Sequence, residues 1–332
     1  MASPKQYTDG RPAAPRFFAV AGRLLCVDAL DAWSAAAAER HFAEWYLTPS
    51  APARADASIR IRRGPPPDIP RGLESFPIGD GGSCFTDGRA YHLDIQGSRV
   101  RLGAGGAEVW LGEGVGQASA ALARTVFNAF SGAVRRCGLY ELHSAAVVGP
   151  SGGRAALLAG ASGSGKTTLT LQLAAAGWGY LSDDVLLLSE GGGRVEARPL
   201  RRDFAATQAT AAAVGLTERT GRPTRADSKL RFTPHTFFPG GFVESCSPEA
   251  LFFPSVTRDA ETRVSEVSRP EALLRLLRMC PWACYDRPAS AGYLRVLSLV
   301  AGQCRAYELR AGTDLLAEPG RAASLLAAYV GR

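Results

Sequence analysis

The sequence predicts an α/β protein, in which a main α/β domain is preceded by a smaller β-rich domain. Residues 155–188 run as apolar strand, glycine-rich loop, helix and strand, an alternation typical of α/β folds. Residues 17–115 instead hold short apolar runs separated by turns rich in glycine and proline, as in a small β-rich domain. With 332 residues, the chain has room for about two domains whose cores need no disulfide or metal.

This pattern divides the chain into three parts. Residues 1–16 are polar, contain several prolines and are predicted to be a disordered tail. Residues 17–115 are predicted to form the β-rich N-terminal domain, and residues 116–332 the α/β domain. Within the N-terminal domain we expect a helix over 31–45 and strands over 17–27, 57–62, 90–95, 98–102 and 107–111.

The α/β domain is predicted to begin with a helix over 117–136, because Leu122, Val126 and Phe130 recur on one of its faces. Two strands follow and flank a turn. The segment 200–236, rich in Arg, Thr, Gly and Pro, is expected to be irregular and lid-like with one short helix. The other expected elements are strands over 140–148, 154–159, 179–188, 250–253 and 304–309, and helices over 166–176, 268–279 and 317–330.

The composition restricts the classes of partner. The net charge is +7, but the arginines are dispersed and no zinc-finger spacing or aromatic RNA-binding signature occurs, so no nucleic-acid partner is expected. No apolar run reaches the ~18 residues of a membrane span, so no membrane partner is expected. The beginning of the chain lacks a secretory pattern and its cysteines lack regular spacing, which favours a cytoplasmic protein with reduced thiols. The basic balance fits either a solvated surface or phosphate-bearing ligands.

Lysine is rare in this chain. Of 38 basic residues only three are lysines, namely Lys5, Lys166 and Lys229. Arginine occupies almost every other basic position, so the two interior lysines indicate places where a compact, flexible ammonium is needed and a planar guanidinium is a poor replacement.

Residues 160–167 fit the phosphate-loop pattern G-x-x-x-x-G-K-[ST]. The glycines allow the backbone to curl until successive N–H groups point at phosphate oxygens, and the following helix adds its positive dipole end. We expect Lys166 to reach the β- and γ-phosphates of ATP and the Thr167 hydroxyl to bind Mg²⁺. The predicted nucleotide-binding residues are Gly160, Ala161, Ser162, Gly163, Ser164, Gly165, Lys166, Thr167 and Thr168.

Two adjacent carboxylates, Asp183 and Asp184, interrupt the apolar strand expected after the phosphate-loop helix. Their burial is costly unless they are paired or bound to a metal. Because side chains alternate along a strand, at most one should point directly at the γ-phosphate. We expect Asp183 to act as the base for an incoming hydroxyl and Asp184 to lie nearer the metal.

His143 is the third candidate catalytic residue. If the strands over 140–148 and 154–159 form a hairpin, position 143 lies opposite position 159, at the mouth of the phosphate loop and close to Lys166. A lone histidine in a strand more often packs in a core, but this register favours a functional role.

The segment from Glu141 to Ser189 resembles the HPr kinase/phosphorylase family and its relatives. It has the same order of histidine strand, phosphate loop, helix ending in glycine and double aspartate. The resemblance extends loosely over 228–232 and 251–254, which look like the HPr kinase-related proteins of biosynthetic clusters. It implies a P-loop kinase core of the HPr kinase/phosphoenolpyruvate carboxykinase type.

The resemblance also implies roles for particular residues. The family's catalytic histidine falls on His143, its phosphate lysine on Lys166, its metal-binding hydroxyl on Thr167, and its catalytic aspartates on Asp183 and Asp184. The implied activity is an ATP- and Mg²⁺-dependent transfer of the γ-phosphoryl group to a serine-type hydroxyl.

The acceptor is expected to be a protein or peptide, either HPr or a ribosomally made precursor peptide. Lys229 and an arginine of the segment 198–202, Arg198 first, are expected to contact phosphate or acceptor. Two alternatives stay open: a P-loop ATPase or nucleotide-binding regulator that is not a kinase, and a small-molecule kinase acting on free serine or a sugar. A homo-oligomer is equally open.

Overall fold

The computed structural model describes residues 14–79, 81–216, 229–318 and 320–330. The predicted disordered tail lies outside these residues up to position 13, and its last residue, Arg16, begins the first strand. Positions 217–228 of the predicted lid-like segment also lie outside them. The chain is an α/β protein with four sheets among the described residues, and none of the helices there is long and apolar enough to cross a bilayer.

The described chain forms two compact units. The first extends to Leu139 and includes Asp286–Ala289, and the second holds Tyr140–Tyr285 and the chain from Ser290 onward. The first unit reaches beyond position 115 because the helix Ala120–Arg135 packs on four strands of its sheet. That helix presents an apolar face whose residues include Leu122, Val126 and Phe130, all fully buried.

Among its described residues, the first unit contains a nine-stranded sheet, two complete helices and the beginning of a third. The strands, in sheet order, are β3 (Thr48–Ser50), β1 (Arg16–Val20), β2 (Arg23–Ala29), β4 (Ala57–Arg63), β9 (Gly106–Leu111), β8 (Ser98–Gly103), β7 (Tyr91–Ile95), β6 (Ser83–Thr86) and β5 (Glu74–Pro77). The helices are α1 (Ala32–Phe42), whose N-cap is Asp31, and α2 (Ala120–Arg135).

The single strand predicted over 17–27 is instead a hairpin of β1 and β2. Ala21 and Gly22 turn the chain with φ values of 45° and 76°, a conformation that an extended strand does not contain. The apolar run therefore continues through the turn, so hydrophobicity alone does not reveal it.

The second unit contains three sheets, seven α-helices and two short 3-10 helices (Pro150–Gly152 and Pro234–Thr236) among its described residues. The six-stranded sheet has the order β13 (Gly179–Ser182), β11 (Ser144–Val148), β12 (Ala155–Ala159), β18 (Pro248–Val256), β20 (Arg305–Ala311) and β19 (Arg263–Val267). The smaller sheets are β10 (Tyr140–Leu142), β14 (Leu186–Gly191) and β15 (Arg194–Pro199), and β16 (Phe204–Ala206) with β17 (Leu230–Phe232). The helices are α3 (Lys166–Ala175), α4 (Gln208–Ala213), α5 (Arg269–Met279), α6 (Trp282–Tyr285), α7 (Arg287–Gln303, which begins in the first unit), α8 (Asp314–Ala317) and α9 (Arg321–Val330).

The centre of the six-stranded sheet is parallel, since β12, β18 and β20 all run in one direction. Its core is built from apolar side chains of these strands, including Leu158, Phe252 and Leu309, together with Leu169 of α3 and Leu326 of α9. The carboxyl ends of parallel strands meet at one edge, where ligands bind in open α/β sheets. The glycine-rich loop follows β12 at this edge.

Two predicted strands are each broken in the structure. The strand expected over 140–148 is divided at His143 into β10 and β11, and the strand expected over 179–188 is divided at 183–185 into β13 and β14. β10 pairs with β14 in one sheet, and β11 pairs with β13 in another. Both stretches of chain therefore pass from one sheet to the other at their breaks. The histidine and the aspartates therefore lie in a gap between two sheets rather than within a ladder.

Candidate active site

A pocket of about 460 Å³ lies at the edge where the parallel strands end. Its lining comes from the phosphate loop and the start of α3, from the two strand breaks, and from β16, α4 and β17. The structure thus brings together His143, Lys166, Thr167, Asp183 and Asp184, all five of which were candidates from the sequence.

The phosphate loop is shaped by glycines with positive φ. Gly163 and Gly165 have φ values of 84° and 97°, and Gly165 caps the beginning of α3 in the left-handed conformation. Lys166 begins the helix and is buried. Its Nζ donates to the carbonyl oxygens of Gly160, at 2.5 Å, and Ala161, at 2.9 Å, so the ammonium lies over its own loop.

Asp183 lies directly beneath the loop. Its Oδ2 accepts a hydrogen bond from the Thr167 hydroxyl at 2.8 Å and another from the Ala205 N–H at 3.3 Å. The residue is only 3% exposed, and its Oδ1 is buried with no hydrogen-bond partner among the described residues. Burial, reinforced by the nearby charge of Asp184, raises the pKa of Asp183 to about 6 despite the Thr167 bond.

Asp184 faces the other side of the gap. Its Oδ1 lies 3.0 Å from His143 Nδ1 and its Oδ2 lies 3.2 Å from Arg201 Nη1. Burial alone would raise the pKa of Asp184, but the bond from His143 and the charge of Arg201 lower it below its ordinary value. Both oxygens of Asp184 are therefore occupied by protein groups.

His143 connects this carboxylate to the phosphate loop. Its Nε2 lies 3.2 Å from Lys166 Nζ, so Arg201, Asp184, His143 and Lys166 form one chain of polar contacts. The pairing of β11 with β12 places Ser144 opposite Ala159, so the predicted register for position 143 is wrong by one residue. Burial lowers the pKa of Lys166, against the opposing charges of Asp184 and Asp183.

The positions of the two carboxylates favour the reverse of the roles expected from the sequence. Asp183, rather than Asp184, contacts the hydroxyl expected to bind Mg²⁺. The expectation assumed the alternation of a regular strand, whereas both residues lie in a bend between β13 and β14.

Three cationic side chains outside the phosphate loop also line the pocket. Lys229 and Arg231, at β17, and Arg201, before β16, all lie on the pocket wall. Arg198 is not among the lining residues, because its guanidinium pairs with Glu196 at 3.0 Å on β15. Arg201, in the same segment, reaches the predicted catalytic residues through its contact with Asp184.

Mg²⁺ fits the oxygen atoms around Thr167. A hydroxyl and a carboxylate with one unpartnered buried oxygen are hard ligands of the kind that Mg²⁺ prefers. Among the described residues, no cluster of three or more His, Cys, Asp or Glu side chains is arranged to hold a metal. A Mg²⁺ ion here would therefore complete its shell with phosphate oxygens and water, as it commonly does.

Comparison with known proteins gives distant likenesses among solved structures only. No protein-family model matches the chain, and no curated protein matches it. Among solved structures, the chain is similar to the HPr(Ser) kinase/phosphatase from Coxiella burnetii, with 14% sequence identity over 38% of this chain and 77% of that chain. The TM-score of 0.24 is too low for the likeness to bear on activity.

Several pocket residues were not singled out by the sequence. Arg231, Thr207 and Thr210 carry no motif, and they reach the pocket because β16, α4 and β17 pack against α3 through an apolar cluster that includes Leu171 and Phe204. No sequence pattern indicated Val256 either. It ends the parallel strand β18 and is 61% exposed. The expectation that ligands bind at the ends of parallel strands would have found Val256, had the extent of β18 been known.

Proposed function

We propose that this protein is an ATP- and Mg²⁺-dependent kinase with a P-loop core, and that it transfers the γ-phosphoryl group to a serine-type hydroxyl of a protein or peptide. The observation that carries the proposal is the contact of both candidate catalytic groups with the loop. Asp183 bonds the Thr167 hydroxyl at 2.8 Å, and His143, held by Asp184, lies 3.2 Å from Lys166. A phosphate loop is thereby joined to a metal-binding carboxylate and to a candidate base.

Nucleotide binding is assigned to the loop and its helix. Backbone N–H groups around Gly163 and Gly165 and the dipole of α3 attract the β- and γ-phosphates. Lys166 exchanges its loop carbonyls for phosphate oxygens, which offer a full negative charge in place of a dipole. Thr167 and Asp183 would hold Mg²⁺, which neutralises charge on the transferring phosphoryl group.

We assign to His143 the role of the base that accepts the proton of the acceptor hydroxyl. Asp183 is a poor candidate because it is almost fully buried and bonded to Thr167, whereas the His143 side chain is 38% exposed in the pocket. In the Nδ1–H tautomer, Nδ1 donates to Asp184 and Nε2 is an acceptor, the orientation of a base positioned by a carboxylate. Once Lys166 turns to phosphate, Nε2 is released for the acceptor hydroxyl.

Three cations outside the loop support charge stabilisation during transfer. Arg201, Lys229 and Arg231 line the same pocket as the loop, so they can neutralise charge on the equatorial oxygens of the phosphoryl group. Lys166 and Lys229 thus have related roles, which agrees with the rarity of lysine in the rest of the chain.

The test is to incubate the protein with Mg²⁺ and ATP, in turn with HPr, a library of serine-containing peptides, free serine and sugars, and to identify products by mass spectrometry. We expect a phosphoserine protein or peptide, and none with Lys166→Ala. Phosphate release that no acceptor changes would identify an ATPase instead, and phosphorylated serine or sugar a small-molecule kinase. A protein that binds no nucleotide would overturn the whole proposal.

A further inference from the structure

One exposed apolar side chain lines a pocket that is otherwise polar. Val256 is 61% exposed, the highest fraction among the large apolar residues that the structure describes. The other described residues of the lining are glycine, alanine or residues with charged or hydrogen-bonding side chains. Single exposed apolar residues are common on protein surfaces, so the position of Val256 matters more than its exposure.

Two neighbouring strands fix the position of Val256 beside the phosphate loop. The pairing of β12 with β18 ends at Leu158 and Phe252, and β18 continues from there to Val256. A Cβ on Gly165 would lie 3.3 Å from Val256 Cγ2, so the valine lies against the residue that caps α3. On the other side, Val256 pairs with Ala311 of β20. A paired strand therefore presents this side chain in a fixed place.

The groups assigned to the γ-phosphate come from the opposite flank of β12. His143 directly precedes β11, and Asp183 directly follows β13. In the sheet order, β11 and β13 lie on one side of β12, and β18 lies on the other. A nucleotide whose γ-phosphate meets His143 and Asp183 therefore directs its nucleoside away from them, toward the flank of Val256.

Val256 suits a nucleoside better than it suits the phosphates or the acceptor. An aliphatic side chain offers no hydrogen bond to a phosphate, whereas the ribose carbons and the face of a base can remove it from water. The attacking and leaving oxygens lie roughly in line through the phosphorus. The acceptor hydroxyl must therefore approach opposite the leaving nucleotide, on the flank of His143 rather than on that of Val256.

We propose that Val256 is the nucleoside contact of the donor site, an inference that rests on the proposed nucleotide binding. Its methyl groups pack against the ribose and base of the triphosphate whose phosphates the loop holds. The valine offers adenine and guanine the same apolar contact and no hydrogen bond, so it adds affinity without distinguishing the two bases. It selects a nucleoside triphosphate over an inorganic polyphosphate.

The experiment measures dissociation constants by calorimetry, on the full-length protein with Mg²⁺. The ligands are non-hydrolysable analogues of ATP and GTP, and inorganic tripolyphosphate, which has no nucleoside. Val256→Ala should weaken binding of both analogues by the same factor, about 3- to 10-fold, because two methyl groups lose their contact. Its affinity for tripolyphosphate should equal that of the wild type. Val256→Ile should retain all three affinities.

Leu274→Ala is the matched control. Leu274 is an exposed apolar residue of α5, 42% exposed, that does not line the pocket, so its removal should change none of the affinities. Equal weakening of the analogues and of tripolyphosphate by Val256→Ala would show that the valine acts through the shape of the loop. That result, or unchanged affinity for the analogues, would overturn this inference and leave the kinase proposal intact. A wild-type protein that binds none of the three ligands would overturn both.

Discussion

Asp183 and Asp184 are neighbours in the chain but have opposite electrostatic surroundings. Burial keeps the pKa of Asp183 high, at about 6, whereas the contacts with His143 and Arg201 keep that of Asp184 low. A pair of titratable groups whose environments separate their pKa values is a common basis for different chemical roles. In the proposed mechanism, this separation distinguishes the carboxylate assigned to Mg²⁺ from the one assigned to position His143.

The pKa of Asp183 predicts an unusual effect on stability. The pKa of Asp183 is higher in the folded than in the unfolded protein. Its contribution to the free energy of unfolding is therefore fully present below the unfolded pKa of 3.8 and is lost as pH rises through about 6. We expect Asp183→Asn to increase the free energy of unfolding at pH 8, by at most about 3 kcal/mol, and to have little effect at pH 3.5. Urea unfolding without Mg²⁺ at both pH values measures this.

Asp184→Asn is the control, with the opposite sign. The pKa of Asp184 is lower in the folded than in the unfolded protein. Its contribution to the free energy of unfolding is therefore present above the unfolded pKa of 3.8 and is lost as pH falls through the folded value. This variant should be less stable than the wild type at pH 8. Equal responses of the two variants to pH would contradict the different surroundings described for the two carboxylates.

Removal of the loop ammonium should weaken nucleotide binding. Lys166→Ala is expected to lower affinity for a non-hydrolysable ATP analogue about 10- to 100-fold, the equivalent of the 1.5–3 kcal/mol of a charged hydrogen bond. Lys166→Arg should also bind poorly, since the site between Gly160 and Ala161 carbonyls fits an ammonium. Calorimetry measures the affinities. Unchanged affinity in both variants would exclude Lys166 from phosphate binding.

At the scale of elements, the turn into α3 is constrained both by its backbone conformation and by a neighbouring side chain. A Cβ on Gly165 would lie 3.3 Å from Val256 Cγ2, and the residue has a φ of 97°. We expect Gly165→Ala to cost about 1–2 kcal/mol and to reduce nucleotide affinity as well, because the loop N–H groups turn away from the phosphates. Thermal unfolding and calorimetry, respectively, measure the two effects.

Gly177→Ala provides the comparison for Gly165. Gly177 ends the same helix with a φ of 84°, but its Cβ would meet nothing within 4 Å. It should lose a similar amount of stability yet bind nucleotide normally. If Gly177→Ala also lost nucleotide affinity, the effect of Gly165→Ala would be one of general stability rather than of loop geometry.

Sequence patterns predicted the elements around the loop well but not those that complete the pocket. The glycines and Lys166 belong to a dense local motif that reveals them in the sequence. The helix that follows ends at Ala175, one residue before the predicted end.

The long helix α7 was missed. Gly292 weakens its helical pattern, but a Cβ there would clash with the Tyr140 hydroxyl, so close packing requires the glycine.

The strand breaks show the same limit of sequence analysis. A period of two is visible along a strand, but the change of sheet at His143 and at Asp183 depends on pairing partners far away in the chain. The same is true of Arg201, whose contact with Asp184 no spacing encodes. Local motifs predicted five residues that line the pocket, whereas the contacts between their side chains depend on tertiary pairing.

At the scale of the whole molecule, the first unit depends on a buried ion cluster. Asp286 is fully buried, and its Oδ2 accepts bonds from Arg135 at 3.0 Å and Arg136 at 2.7 Å. Removal of one partner of a buried pair leaves an uncompensated charge. We expect Asp286→Ala to destabilise the first unit by about 3–5 kcal/mol, as measured by thermal unfolding.

An exposed ion pair in the same unit is the control for Asp286. Arg16 and Glu39 are 3.4 Å apart, with side chains 49% and 54% exposed. Glu39→Ala should therefore cost less than about 1 kcal/mol. Similar losses in the two variants would show that burial of the Asp286 cluster is not what makes it important.

Because Asp286 belongs to the first unit, that unit is discontinuous in the sequence, and no single cut in the chain separates the two units. A fragment that stops at Leu139 keeps Arg135 and Arg136 but lacks the carboxylate that neutralises them. Ribosomal synthesis faces the same situation, since 146 residues separate Leu139 from Asp286. Most of the second unit must therefore be translated before Asp286 can neutralise the two buried arginines of the N-terminal unit.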